Sequence, residues 1–323
     1  MSKKKNFFLI FKVVVTIAIL FALFKLVPYQ KIIEVFKDSN KIYLFYAALI
    51  FFSCYFIAAC RWRFLLSSLG VDMSFKEVFY AFFSGLFFNL FFPSFVAGDV
   101  FRSMSISYRH GSAKKVASSV LMDRFSGAIA LVSVSAIAYF FGRDILNDPQ
   151  IIVAIAILCL IIVFSSLVIF NRKVFLFLTK IFRKNDAIEE KIISFHDQLY
   201  FFKNNPKVLL KSLYFSVPMQ MLTAISFFIA SRAFGVEVSI VNFLILVPII
   251  MAIAMIPITI AGAGTREASA VYFFSLIGIE KSIGLGISLL NLILMIVVGI
   301  LGGIFYVSVY HRWLQSHSPS KKS

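Results

Sequence analysis

Runs of about twenty consecutive, mostly apolar residues recur along this chain, and each is long enough to cross a membrane as a helix. Apolar residues make up 60% of the sequence and charged residues only 15%, whereas about a quarter of the residues of soluble domains are charged. Because backbone groups in lipid must pair within their own segment, and because these runs are apolar on all sides, helices are favoured over a barrel. The sequence therefore predicts an all-α, polytopic transmembrane helical bundle.

The apolar runs predict seven or eight membrane segments. The runs are 7–27, 41–60, 79–97, 113–142, 150–170, 208–230, 240–261 and 282–310, with a shorter apolar piece at 268–278. The first run lacks an A-x-A cleavage site, which indicates a retained helix. The long polar stretch 171–207 has helical apolar spacing and is predicted to lie on the membrane surface. We interpret 1–312 as one transmembrane domain and 313–323 as a polar cytoplasmic tail.

Charge orients the chain, because loops rich in Lys and Arg stay in the cytoplasm. Residues 98–115 carry four basic residues and one acidic residue, and 171–207 carry eight basic and four acidic residues. We therefore expect both termini and both of these stretches in the cytoplasm of a bacterial-type inner membrane. The stretches 61–78 and 98–115 then fall on the same side of the membrane, which predicts that the segment 79–97 between them is re-entrant or broken.

The segments 79–97 and 240–261 end in related motifs. Pro93 to Arg102 and Pro257 to Arg266 both fit P-x3-A-G-x3-R. One explanation is coincidence, because Pro, Ala and Gly are common in membrane helices. The other is an internal duplication that places one broken helix in each half as an inverted repeat. Broken segments at matching positions in two halves are typical of transporter binding sites.

Proline and glycine in these motifs predict a sharp turn followed by a new helix, with Asp99 or Thr265 as its N-cap. Arg102 and Arg266 would then lie in a first turn, where the helix dipole disfavours a cation unless an anion such as a lipid phosphate is bound. The alternative is that Asp99 and Glu267 simply pair with these arginines. We expect the two motifs to approach each other and line one polar cavity.

Other polar residues within the apolar runs are also candidates. Asp123 and Arg124 either face the protein interior or lie near enough to the surface to snorkel. Asn89 either contacts a ligand or bonds between helices. The Arg61-Trp62-Arg63 triplet resembles an interfacial anchor. The residues that we predict to bind substrate are Asn89, Pro93, Gly98, Asp99, Arg102, Asp123, Arg124, Pro257, Gly262, Gly264, Arg266 and Glu267.

The sequence contains no motif for metal binding, for catalysis by cysteine or histidine, or for nucleotide binding. The three cysteines lie in or at the end of apolar runs without a CxxC pattern, and the four histidines are far apart in polar stretches. No GxxxxGK[ST] motif is present. We therefore expect no cofactor, no metal and no catalytic residues. The net charge of +17 is better explained by the positive-inside bias and attraction to anionic lipid headgroups than by nucleic acid.

These residues, in this order, resemble the lysylphosphatidylglycerol synthase transmembrane-region family, the flippase-like membrane domain of the multiple peptide resistance factor. The resemblance covers about 7–310. It rests on Arg61-Trp62, Leu65-Leu66, Gly70, Gly85, Asn89, Pro93-Ser94, Gly98-Asp99, Arg102, Asp123-Arg124, Gly127, Pro257, Gly262, Gly264 and Arg266-Glu267. Ala97 departs from the family, which often has a second glycine there.

The resemblance implies lipid translocation or lipid handling. In the fused proteins of the family a separate soluble domain transfers the aminoacyl group. This chain ends about a dozen residues after its last predicted helix, so we expect it to lack that domain. The leading hypothesis is a flippase-like protein for an anionic or modified lipid. The alternatives are a membrane-embedded lipid-headgroup transferase, or an accessory subunit of a lipid-modifying enzyme. The expected partners are membrane lipids with anionic phospholipid headgroups; a homo-oligomer or an enzyme partner stays open.

Overall fold

The computed structural model describes residues 2–91, 97–110, 113–143, 146, 148–181, 196, 198–256 and 258–310. This part of the chain is 88% helical and contains no β-strand, as the sequence predicts. The helices are α1 (Ser2–Leu26), α2 (Tyr29–Lys37), α3 (Lys41–Ser68), α4 (Phe75–Phe91), α5 (Ala97–His110), α6 (Ala113–Gly142), α7 (Pro149–Phe170), α8 (Arg172–Ile181), α9 (198–204), α10 (Pro206–Ala233), α11 (Ile240–Ala254), α12 (Thr265–Ser275) and α13 (Lys281–Phe305).

Five of these helices, α3, α6, α7, α10 and α13, are long and apolar enough to cross a membrane. The helices α1 and α2 form a sixth candidate span, bent by 74°. Pro28 lies directly before α2, and the bend follows because the residue preceding a proline is disfavoured in the helical conformation. The prediction of a polytopic helical bundle is confirmed.

Two helical hairpins complete the bundle. α4 packs against α5, and α11 packs against α12. None of these four helices reaches 18 residues, which is short for a full crossing of the hydrocarbon core. The pairing of α4 with α5 agrees with the re-entrant interpretation of 79–97. For 240–261 the sequence leaves open a full crossing or a re-entrant helix, and the pairing of α11 with α12 agrees with the re-entrant one. Pro93 and Pro257, which we predicted to cause the breaks, lie outside the described residues.

Small residues and hydroxyl groups hold the long helices together. This is usual in membranes, because the hydrophobic effect does not favour contact between helices that lipid already surrounds. Ser226 Oγ on α10 donates to the Ala47 carbonyl on α3 over 2.8 Å, and Ser135 Oγ on α6 donates to the Ile245 carbonyl on α11 over 2.8 Å. On α13, a Cβ at Gly302 would overlap the backbone of α4. These close contacts fix the two hairpins against the long helices.

The polar stretch 171–207 is described only in part. α8 is an amphipathic helix, in agreement with a surface position, while 182–195 lie outside the described residues. α9 does not lie free on the surface, because Leu199 and Phe202 are buried in a cluster with Leu65 and Phe125. The surface-helix prediction therefore does not hold for α9, whose apolar face packs on α3 and α6.

Candidate functional site

The ends of both hairpins open onto one cavity of about 270 Å³ inside the bundle. Asn89, Gly98 and Arg102 reach it from the first hairpin, and Met251 and Arg266 reach it from the second. The long helices α3, α6, α10 and α13 supply the rest of its wall. Gly98, Asp99 and Arg102 of the first motif and Arg266 of the second therefore line the same cavity, in agreement with the expectation that the two motifs approach each other.

Asp123 is the centre of the ion pairs in this cavity. It is buried on α6 and accepts from Arg61 Nε at 2.7 Å and from Arg102 Nη2 at 2.9 Å. Arg61 Nη1 also donates to Ser216 Oγ at 2.8 Å. The helices α3, α5 and α6 are thus joined at one carboxylate. Of the two possibilities left open for Asp123, the structure shows the interior position.

The interpretation of Arg61-Trp62-Arg63 as an interfacial anchor is wrong for its first two residues. Arg61 is 5% exposed and Trp62 is fully buried, and α3 continues to Ser68. The triplet therefore lies inside the helix and not at its end. Trp62 Nε1 donates to Ser119 Oγ over 3.1 Å. A local pattern of charge, aromatic and charge cannot reveal these partners, because they come from a different helix.

Arg102 is buried but only partly satisfied. Its Nη2 lies 3.0 Å from Asp99 Oδ1 and also donates to Asp123, while its Nε and Nη1 are buried without a hydrogen-bond partner among the described residues. The guanidinium stacks over Trp62 at 4.3 Å and over Phe82 at 5.1 Å from the ring centres. Aromatic faces stabilise the positive charge, but they do not replace the missing acceptors.

Arg124 faces the cavity from α6. Its Nε donates to Asp99 Oδ2 over 2.8 Å, yet 41% of its side chain remains accessible. Asp99 therefore receives both Arg102 and Arg124. The side chain of Arg124 is the most accessible of the arginines paired with Asp99 and Asp123.

The second hairpin holds its arginine differently. Glu267 Oε1 accepts from both Nε and Nη2 of Arg266, at 3.0 and 2.8 Å, and its Oε2 accepts from the Gly264 amide at 2.6 Å. Arg266 Nη1 lies 3.9 Å from the sulfur of Met295. The alternative in which the carboxylates pair with these arginines is thus what the structure shows for both motifs.

The two motifs share a sequence pattern but not a local conformation. Ala97 and Gly98 belong to α5, and Arg102 is the sixth residue of that helix. In the second motif Ala261 and Gly262 have positive φ values of 50° and 71°, and α12 begins only at Thr265. Arg266 is therefore in a first turn as predicted, whereas the same prediction for Arg102 is wrong.

The predicted N-caps are also wrong. Gly264, with φ 88°, is the N-cap of α12 and Thr265 is its first residue. Asp99 is the third residue of the described helix α5. Asn89 supplies the cap instead, because its Oδ1 accepts from the Gly98 amide at 2.7 Å. Of the alternatives for Asn89, the bond between helices is present, and the side chain also lines the cavity.

The described cavity carries one net positive charge. Four arginines and two carboxylates line it, and a third carboxylate, that of Glu267, pairs with Arg266 without lining the cavity. Together these seven side chains leave one positive charge; they are Arg61, Arg102, Arg124, Arg266, Asp99, Asp123 and Glu267. Within the part of the chain that the structure describes, no group of three or more His, Cys, Asp and Glu side chains is arranged to hold a metal ion. The site is thus suited to binding an anion through arginine.

Sequence reasoning missed several lining residues. Gln220 and Asn291 line the cavity from α10 and α13. Both are amides inside long apolar runs, and that isolation is the signal that could have found them. Tyr55 and four methionines also line it, and nothing in their local sequence distinguishes them from ordinary residues of a membrane helix.

The fold and the site define a class of protein. It is a polytopic helical membrane protein with an arginine-rich cavity that two helical hairpins line. The chain belongs to the family described as lysylphosphatidylglycerol synthase TM region, whose model matches residues 9–303. The resemblance in the sequence is therefore confirmed. This membership supports a role connected with membrane lipids.

The chain is also similar to two curated archaeal proteins. It is 23% identical over 299 residues to a UPF0104 membrane protein of Pyrococcus horikoshii, covering 85% of this chain and 89% of that protein. It is 24% identical over 294 residues to a UPF0104 membrane protein of Methanocaldococcus jannaschii, covering 86% and 88%. Both relatives are described as membrane proteins, in agreement with the fold.

Proposed function

We propose that this protein moves a lipid with a singly charged anionic headgroup between the leaflets of the membrane, and that the headgroup binds in the arginine cavity. One observation carries the proposal. Arg102 has two buried guanidinium nitrogens without a partner, close to Asp99, which also binds the accessible Arg124. An anion placed there would accept the hydrogen bonds that the protein leaves unmade.

Charge supports the same conclusion. A net positive charge inside a membrane protein is costly and marks a pathway or a ligand site. One bound phosphodiester would offset the net +1 of the described cavity. Arginine suits this partner, because its planar fork matches two phosphate oxygens at once. A zwitterionic headgroup would add its own positive charge to a site that already carries one more positive than negative charge.

The position and size of the cavity fit a lipid headgroup. Broken helices of two halves that meet inside the bundle are typical of transporter binding sites. Pockets that enclose drug-sized ligands start at about 300 Å³, and this cavity is close to that at about 270 Å³. It can enclose a headgroup with its first carbons, while the chains stay in the surrounding lipid.

The transferase alternative has less support. A transferase acting on a lipid headgroup needs a general base or a metal site, and the acidic candidates are Asp99, Asp123 and Glu267. Each of these carboxylates accepts from at least one arginine over 3.0 Å or less. They are therefore engaged with arginine and not free to take a proton from a substrate. The accessory-subunit alternative is an outcome of the experiment below.

A leaflet-resolved assay tests the proposal. Purified protein is reconstituted into vesicles that contain a fluorescent phosphatidylglycerol or a matched phosphatidylcholine, and reduction of the outer dye reports movement. We expect movement of phosphatidylglycerol, reduced about tenfold or more by Arg124→Gln, since a hydrogen bond to a charged group contributes roughly 1.5–3 kcal/mol. Arg102→Lys should also impair it, because lysine lacks the fork.

Arg232→Gln is the matched control, since that arginine pairs with Glu237 at 3.9 Å at the exposed end of α10. It should leave movement unchanged. Vesicles with the wild-type protein that move neither lipid would refute translocation by this chain alone. Movement that appears only when a lipid-modifying enzyme is added would favour the accessory-subunit alternative.

A further inference from the structure

The cavity has two chemically different kinds of lining. α3, α5 and α6 contribute the charged side chains of Arg61, Arg102 and Arg124. α10, α11, the segment after α11, and α13 contribute four methionines to the same cavity. These methionines are Met219, Met251, Met255 and Met295, and we call them the methionine wall.

The concentration of methionine here is out of proportion to the sequence. The chain has nine methionines and 40 phenylalanines, yet the lining contains four of the nine and only two phenylalanines. Phenylalanine is the default large apolar residue of this protein. At the wall it is replaced by a residue with an unbranched, flexible and polarizable side chain.

One methionine of the wall lies next to an arginine of the cavity. Met295 Sδ lies 3.9 Å from Arg266 Nη1. Met255 remains 43% exposed, and Met251 and Met295 are half-buried, so their side chains are not locked in a filled core. A cavity lined by both charged and flexible apolar side chains is suited to an amphiphile whose headgroup and first carbons bind together.

We propose that the methionine wall contacts the hydrocarbon next to the headgroup and determines chain specificity, by accepting chains of different shape behind one anionic headgroup. Methionine is typical of binding surfaces that adapt to several ligands, because its rotamers rearrange at little cost. The ligand class is therefore an anionic lipid with variable chains, straight or methyl-branched near the headgroup. This inference rests on the proposed function for the presence of a lipid in the cavity.

A competition experiment tests the wall without requiring movement. Delipidated full-length protein is incubated with an equal mixture of two phosphatidylglycerols, one with straight chains and one with chains methyl-branched at the third carbon. Native mass spectrometry measures the ratio of the bound lipids. We expect the wild-type protein to bind both within about twofold of each other, since a flexible wall distinguishes them little.

The variant Met251→Ile/Met295→Ile should bind the branched lipid about fivefold less well relative to the straight one, because a β-branched side chain is stiff at χ1. The isomeric variant Met251→Leu/Met295→Leu should stay close to the wild-type ratio, since Leu and Met exchange with little change in volume. The matched control is Met104→Ile/Met221→Ile. Those residues are 67% and 41% exposed and lie outside the cavity lining.

The wall assignment is overturned if the Ile variant keeps the wild-type ratio, or if the control variant shifts it equally. It is also overturned if the wild-type protein already rejects one lipid or binds neither. The vesicle assay reads out movement separately. Binding in the expected ratios without any movement would leave the wall standing and refute the proposed translocation.

Discussion

Removing the charge of Asp123 should destabilise the protein more than any surface charge change. Asp123→Asn keeps the shape of the side chain but leaves Arg61 and Arg102 facing a neutral amide inside the bundle. Breaking a buried ion pair by removing one partner costs roughly 3–5 kcal/mol. We do not expect twice this figure, because Arg61 keeps Ser216 at 2.8 Å and Arg102 keeps Asp99 at 3.0 Å.

The measurement is the free energy of unfolding of the detergent-solubilised protein in a denaturant titration. Glu237→Gln is the control, since its pair with Arg232 spans 3.9 Å with 88% of the Glu237 side chain exposed, and exposed pairs contribute about 0–1 kcal/mol. Asp123→Asn/Arg61→Met should recover part of the loss, because the uncompensated arginine is gone. A loss for Asp123→Asn no larger than for Glu237→Gln would refute the central role of this carboxylate.

Three further changes test the hairpins and the topology. Gly98→Ala should prevent closure of the first hairpin and abolish lipid movement, because its Cβ would overlap the Gly85 carbonyl oxygen. Thr16→Val should increase chemical labelling of the segment after α11, because the Thr16 hydroxyl accepts from the Ile260 amide at 3.0 Å and that amide would lose its partner, a cost of about 1–3 kcal/mol. Glu237→Cys, in a loop of nearly neutral charge, should be labelled only from outside the cell.

A specific experimental result would contradict each of these three predictions. Gly284→Ala is the control for the first hairpin, because its Cβ would meet only ordinary contacts from 3.6 Å outwards. Equal activity of the two alanine variants would contradict the close-packing argument. For Thr16, labelling equal to that of the wild type would show that α1 does not hold the segment after α11. Labelling of Glu237→Cys from the cytoplasmic side would reverse the predicted orientation.

Much of the architecture followed from physical constraints that act locally. A run of apolar residues in lipid has to be helical, and Pro, Gly and loop charge together required 79–97 to return to its starting side. These arguments use residues that are close together in the sequence, which is why the two helical hairpins could be expected from it. The bend between α1 and α2 was not predicted, although Pro28 marks its position.

Pairing across the bundle was not accessible in the same way. Arg61 is 62 residues from Asp123, and nothing near either of them indicates the partner. The same limit applies to the methionines, because the sequence does not show that three helices bring them to one cavity. It applies also to the starts of α5 and α12, because the same P-x3-A-G-x3-R pattern leads into a helix at Ala97 and into a left-handed turn at Ala261.

Because of that local difference, Arg102 and Arg266 have different roles in the site. Both nitrogens that form one edge of Arg266 are used by Glu267, and the carboxylate also holds the Gly264 amide at the start of α12. Arg266 is thus committed to closing the second hairpin. Arg102 shares its two carboxylates with Arg61 and Arg124 and keeps two nitrogens unpartnered. An entering anion can therefore recruit Arg102 and Arg124 without breaking a hairpin, so the headgroup should bind asymmetrically, on the side of the first hairpin, even though the sequence motifs are alike.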